Sequence, residues 1–302
     1  MEYQYLTTER LDDGQIMRIT LNRPAARNAQ NRGLLVELDH AFLAAEKDDE
    51  VRVVILAGNG PMFSAGHDLG SEESLTERLP GPDQHESFKG NGGTRKGGEQ
   101  RMLQEWHYYY QNTLRWRNLR KITIAQVHGK VIAAGLMLMW ACDLIIAAEG
   151  TTFSDPVGAR LGMCGMEYCG HPWEFGPRKA KELLLTTDSI DADEGYRLGM
   201  ITKVYKGDEL AEKTLEFARR IAQRPTMAAL MIKESVNQAV DNMGFYNALQ
   251  ACFTIHQANH SHWAECHGTH EEPYRNYPAA LVEDGAEDWR KPNPTRPALK
   301  DN

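Results

Sequence analysis

The chain has 302 residues, 41% of them apolar, with a formal charge of −8 and a pI near 5.8. That length and composition supply enough apolar surface for a large core, while the negative balance excludes a surface built to neutralise nucleic-acid phosphates. The longest uninterrupted apolar run, Val131 to Cys142, falls short of the roughly 20 residues of a membrane span, so no membrane insertion is expected.

The first residues, MEYQYLTTER, lack the basic start and apolar core of a secretory signal, and a cytoplasmic protein is expected. Period-2 alternation predicts a strand pair, Tyr3 to Arg10 and Ile16 to Leu21, around a turn at Asp12-Asp13-Gly14. A helix follows over about Asn31 to Glu46, with Leu34, Leu35, Leu38, Phe42 and Ala45 on one face. The β-branched run from Val51 to Gly58 reads as a strand buried on both faces. From about 71 to 100 the composition turns Glu-, Gly- and Pro-rich, as in a mobile surface insertion that could act as a lid. Leu103, Trp106, Tyr110 and Leu114 then recur at helical spacing, and strands follow at Ile122 to Val127 and Leu144 to Ala148. Beyond these the chain reads as irregular until a helix near Lys179 to Thr186. Helices are predicted at Glu209 to Arg220, Thr226 to Val240 and Tyr246 to Glu265, the first two separated at Arg224-Pro225. The pattern is therefore α/β first and helical second, with an extended tail from about Gly268. Five cysteines without paired spacing, Cys142, Cys164, Cys169, Cys252 and Cys266, read as reduced thiols.

Four stretches resemble the enoyl-CoA hydratase/isomerase (crotonase) superfamily: LNRPAARNAQ at 21–30, VRVVILAGNGPMFSAGHDL at 51–69, VHGKVIAAGLMLMWACDLIIA at 127–147, and GPRKAKELLLTTDSIDADEGYRLGMITKV at 176–204. Their order and spacing carry the resemblance across residues 3–265, which is far more specific than one short motif. It implies an α/β, crotonase-like ββα spiral in residues 1–205 and a C-terminal helical trimerisation region in 206–267. The tail would then occupy 268–302. The partners it implies are an acyl-CoA thioester and copies of the chain itself, as a homotrimer or dimer of trimers. Coenzyme A would enter as part of the substrate, with no separate cofactor and no metal.

The resemblance also implies a site. Two backbone N–H groups, of His67 and Ala134, would hold the thioester oxygen as it becomes an oxyanion. Small neighbours such as Ala133 and Gly135 admit the ligand, and a helix N-terminus leaves donors unpaired. Ala29, Ala65, Asp68 and Leu69 fall in the matching substrate-binding stretches. Arg27 stands where relatives contact the CoA adenine and phosphates, although a surface salt bridge is the ordinary use of such an arginine. Hydratases of the family use two glutamates for water addition; the matching positions are Met137 and Val157, and neither side chain can move a proton. Val157 is left as a substrate contact. The nearest replacement acid is Glu167, which, if helical, would share a face with His171 and could equally be structural. The His67 imidazole and Asp155 are further acid/base candidates. Residues 106–110, WHYYY, could line an acyl pocket or bury an aromatic stripe. His256, His260, His262, Cys266, His267 and His270 could bind a transition metal, with oligomer contacts or plain surface as the ordinary alternative. The function expected is single-acid chemistry such as double-bond isomerisation; the alternative is a catalytically silent acyl-CoA-binding protein.

Overall fold

The computed structural model describes residues 2–69, 71, 98–158 and 163–267. Most of the expected insertion and the whole expected tail lie outside the described residues.

The chain opens with the hairpin β1 (Leu6–Leu11) and β2 (Ile16–Leu21), the first strand starting three residues later than its alternation suggests. Asn31 caps α1 (Arg32–Lys47) by accepting the Leu34 N–H at 3.1 Å. Strand β3 (Val53–Gly58) pairs parallel to β2 and to β4 (Ile122–Val127). Strand β6 (Leu144–Ala148) pairs with β4, and β9 (Lys203–Tyr205) closes the order β1-β2-β3-β4-β6-β9. A smaller sheet holds β5 (Lys130–Ile132), β7 (Thr152–Ser154) and β8 (Ile190–Asp191).

Both faces of the main sheet are covered, so β3 and β6 are apolar throughout rather than alternating. On β3, Val54 and Leu56 belong to the larger core with α1, while Val53 and Ile55 face Leu210, Ala218 and Ala222 of α7 (Leu210–Ala222). Between the sheets runs α4 (Ala134–Trp140), every residue of which is buried; α5 (His171–Thr186) and α6 (Ala192–Leu198) follow.

Two expectations need correction. The aromatic stretch lies between α2 (Gly98–Gln104) and α3 (Asn112–Arg117), and its central part, Glu105–Gln111, is a π-helix. Its wider turn shifts the helical phase, so Trp106 faces outward at 45% exposure while Tyr108 and Tyr110 are buried. A first helical turn at residues 171–174 precedes the expected helix, in a stretch that reads as irregular; Phe175 (φ −142°) and Gly176 (φ 79°) are non-helical, and the second segment of α5 restarts at Pro177 and runs to Thr186.

The last helices, α8 (Thr226–Asn242) and α9 (Phe245–His267), are tied to the core by long-range ion pairs. Lys233 reaches Asp143 at 2.9 Å, and Arg117 reaches Asp241 at 3.0 Å. None of the helices among the described residues is long and apolar enough to cross a membrane.

Candidate active site

The site is built where the loop after β3 passes between two other segments. Ala65 donates to the Arg27 carbonyl at 3.0 Å, Gln30 donates to Gly66 at 2.8 Å, and Asp68 donates to Gln30 at 3.1 Å. On the other side Ile132 donates to the Ser64 carbonyl at 3.0 Å. Asn28, fully buried with φ 53°, locks this arrangement: its Nδ2 lies 2.9 to 3.0 Å from the carbonyl oxygens of Asn59, Met62 and Phe63.

Because Gln30 bonds to the residues on either side of His67, the His67 N–H points to the opposite edge of the strand. It has no backbone acceptor among the described hydrogen bonds. Ala134 opens α4, and a first-turn N–H has no intrahelical acceptor. Gly66, the residue before His67, packs against the turn into α4. A Cβ built there, at φ +89°, would stand 2.8 Å from the Ile132 carbonyl oxygen and 3.2 Å from the Ala134 nitrogen. The turn into α4 is strained, since Ala133 has φ 49° and ψ −119°, a backbone region that favours glycine.

The other predicted substrate contacts are distributed unevenly. Ala29, Ala65 and Leu69 are half-buried around this loop, and Arg27 is exposed beside it. Asp68 is engaged structurally, with Arg23 at 2.8 Å and the Ser71 hydroxyl at 2.6 Å. Met137 is buried within α4. Val157 packs under Gly165, where an added Cβ would come within 2.2 Å of Val157 Cγ1. That close passage, with Gly165 at φ +57°, delivers the next residues, including Glu167, to the site.

Glu167 lies outside any helix, which overturns the expected Glu167–His171 face. His171 pairs instead with Asp155 at 3.1 Å, both buried, so Asp155 also leaves the set of free acids. Glu167 Oε1 stands 3.7 Å from His67 Nε2 and 3.6 Å from His256 Nε2. Burial pushes its carboxyl up to about 7. Burial has the opposite effect on His67, whose ring is held neutral with a pKa of about 3. That ring stacks on Tyr109 at a centroid distance of 3.5 Å.

Behind Glu167 sits a group that single-stretch reading does not assemble. Glu105 Oε2 lies 3.1 Å from His256 Nε2 and 2.5 Å from Gln257 Nε2, and Glu105 Oε1 lies 3.5 Å from His260 Nε2. Burial alone would raise the Glu105 carboxyl, but His260 and His256 outweigh it and hold it at about 2. Burial alone would lower His256, and Glu167, a hydrogen bond with Cys164, and Glu105 together outweigh that, raising it to about 11. The expectation of oligomer contacts or surface therefore fails for His256 and His260, which are buried at 1% and 3% exposure. The ligand atoms of Glu105, His256 and His260 lie within 4.8 Å of one another, close enough to converge on a cation. His262 is exposed, and His270 lies outside the described residues. Glu105 was legible only as a polar residue in an aromatic stretch; the i,i+4 spacing of His256 and His260 was visible, but not what they face.

Comparison with known proteins gives a consistent answer. A family model described as "Enoyl-CoA hydratase/isomerase" matches residues 12–91 and 80–275. EchA13 of Mycobacterium tuberculosis, whose name assigns it provisionally to the enoyl-CoA hydratases, is 63% identical over 299 residues, covering 99% of this chain and 92% of its own length. A 4-chlorobenzoyl coenzyme A dehalogenase of an Arthrobacter species is 27% identical over 269 residues, 86% of this chain and 88% of that one. Among solved structures, a "probable" enoyl-CoA hydratase of Mycobacterium smegmatis superposes with a TM-score of 0.75 at 44% identity, covering 86% of this chain and 96% of that one.

Proposed function

Since the chain belongs to the enoyl-CoA hydratase/isomerase family and has its crotonase fold, we propose that it binds an acyl-CoA thioester and moves a proton next to its carbonyl, with Glu167 as the single acid/base. The observation that supports this reading is the placement of Gly66, the residue before His67, against the Ala134 nitrogen, with a His67 N–H that has no backbone acceptor among the described hydrogen bonds. Two preorganised N–H donors stabilise a thioester oxyanion or enolate, and one such donor typically contributes about 3 kcal/mol to barrier reduction. The family implies acyl-CoA chemistry, and the two amides are where this reading puts the thioester oxygen.

Ordinary hydration needs two carboxylates to position water and deliver a proton. Met137 and Val157 occupy the positions the resemblance assigns to them, so isomerase-like or other one-acid chemistry fits better. With the His67 ring neutral and Asp155 engaged by His171, Glu167 is the acid/base candidate with proton-transfer capacity near neutral pH. As a carboxylate it would take the C2 proton while the amides hold the enolate oxygen; as a carboxylic acid it would return that proton to C2 or C4.

The test is exchange of the α-proton of butyryl-CoA in heavy water. Exchange is expected in the unaltered protein and is expected to fall by about 10²–10⁴-fold in Glu167→Gln, with thioester binding retained. Crotonyl-CoA hydration at an ordinary enzyme rate, on the order of 10 per second, would overturn the one-acid reading. Helix α8 exposes Met227, Met231, Ile232 and Val236, which supports self-assembly, as a trimer or dimer of trimers, through this face. Light scattering is expected to return three or six times the 34.1 kDa chain mass.

A further inference from the structure

The Glu167 carboxyl is faced from four separate parts of the chain. His67 comes from the loop after β3, Glu105 from the π-helical turn, His256 from α9, and Asp155 follows β7. His256 is placed between the two glutamates, with its Nε2 3.1 Å from Glu105 and 3.6 Å from Glu167. One N–H can serve only one carboxylate well. Glu105 is the nearer, and the Gln257 amide and the His260 ring fix its orientation from the same helix face. Glu105 is therefore the committed anion and His256 its cation. Glu167 stays close enough to feel both charges without being consumed by either.

We infer that His256, held by Glu105, is a positioning residue for Glu167, so that the C-terminal helix completes the acid/base of this site as well as lying in the expected assembly region. The inference rests on the role proposed above for Glu167. Its physical basis is the dry surroundings: His256 is 1% exposed and Glu105 6%, and electrostatic interactions weaken far less there than in water. The two members act on Glu167 with opposite sign, His256 favouring the carboxylate and Glu105 the neutral acid. The same three groups could instead gather a cation, but in this structure Glu105 Oε2 already accepts from Gln257 Nε2 at 2.5 Å and lies 3.1 Å from His256 Nε2, with His260 Nε2 3.5 Å from Oε1.

The experiment measures the pH profile of α-proton exchange of butyryl-CoA by the full-length protein and its variants His256→Gln, Glu105→Gln and Glu167→Gln. In His256→Gln the midpoint attributed to Glu167 should move up, because a positive charge is gone and Glu105 remains. In Glu105→Gln it should move down, because a negative charge is gone and the imidazole is released towards Glu167. Each shift should be about one unit or more, with kcat altered more than KM. Midpoints that do not move, or that move in the same direction in both variants, would overturn the inference and leave the pair a structural plug. A wild-type midpoint that follows chelator or added zinc would overturn it in favour of a metal site. Full exchange by Glu167→Gln would remove the reading underneath, which distinguishes that failure from this one. Should either pair variant fail to fold, the ring-nitrogen signals of His256 in unaltered protein decide: an imidazolium through pH 8 supports the pair, and a neutral ring sinks it.

Discussion

The two halves of the site are made of different material. Around residues 63–68 and 132–135 the groups proposed to act are backbone amides, in segments held by hydrogen bonds to their neighbours and packed closely at Gly66 and Gly135. Around Glu105, Glu167, His256 and His260 they are ionisable side chains buried against one another across long stretches of sequence. The first half needs no charge but leaves no room for a Cβ at Gly66 or Gly135. The second depends on a balance of charges in a dry interior, where removing one partner strands the other.

The largest effect should come from breaking that balance. Glu105→Ala leaves His256 and His260 without their carboxylate and should destabilise the protein by about 3–5 kcal/mol, read as a lower midpoint in urea unfolding. Gly66→Ala attacks the backbone half. The methyl would strike the Ile132 carbonyl and sit beside the Ala134 nitrogen, and exchange should fall by about 10²–10³-fold with butyryl-CoA binding also weakened. By contrast His67→Ala keeps the amide and removes only a neutral ring, so it should lose far less exchange activity than Gly66→Ala.

Stability should also depend on pH through Glu167. Its folded pKa of about 7 lies above the ordinary value of 4.5, so the folded state binds the extra proton between those limits. Unfolding free energy should therefore fall as pH rises from about 4.5 to about 7, and Glu167→Gln should flatten that slope. A slope that is unchanged in the variant would assign the titration elsewhere. The smallest expected effect is a gain. Ala133→Gly relieves a positive φ at the turn into α4 and should leave stability unchanged or raise it by at most about 1 kcal/mol; calorimetry would read the latter as an upward shift of a few degrees. A clear loss would show that the alanine methyl packs usefully enough to outweigh its strain.

The backbone half was the legible half. Alternation and apolar runs marked β2, β3, β4 and β6, and the small residues around 65 and 133–135 lie where Gly66 and Gly135 pack against neighbouring main chain. Asn28, by contrast, shows nothing in sequence of the three carbonyls it joins. The π-helical turn was hidden because the spacing of Leu103, Trp106, Tyr110 and Leu114 fits an ordinary helix, and only the packing shows Trp106 exposed, Tyr108 and Tyr110 buried, and Tyr109 stacked on His67. Glu167 was visible as a candidate, yet its supposed partner His171 belongs to Asp155.

From the sequence alone came the layered α/β order, the helical C-terminal part and the family resemblance. These follow from local periodicity and from residues close in the chain, where physical constraints act over a few positions. Only the tertiary structure decided which ionisable groups share the interior, because Glu105 and His256 stand 151 residues apart. Their meeting is set by how α9 folds back over the π-helical turn, and no short-range pattern records the distance between them.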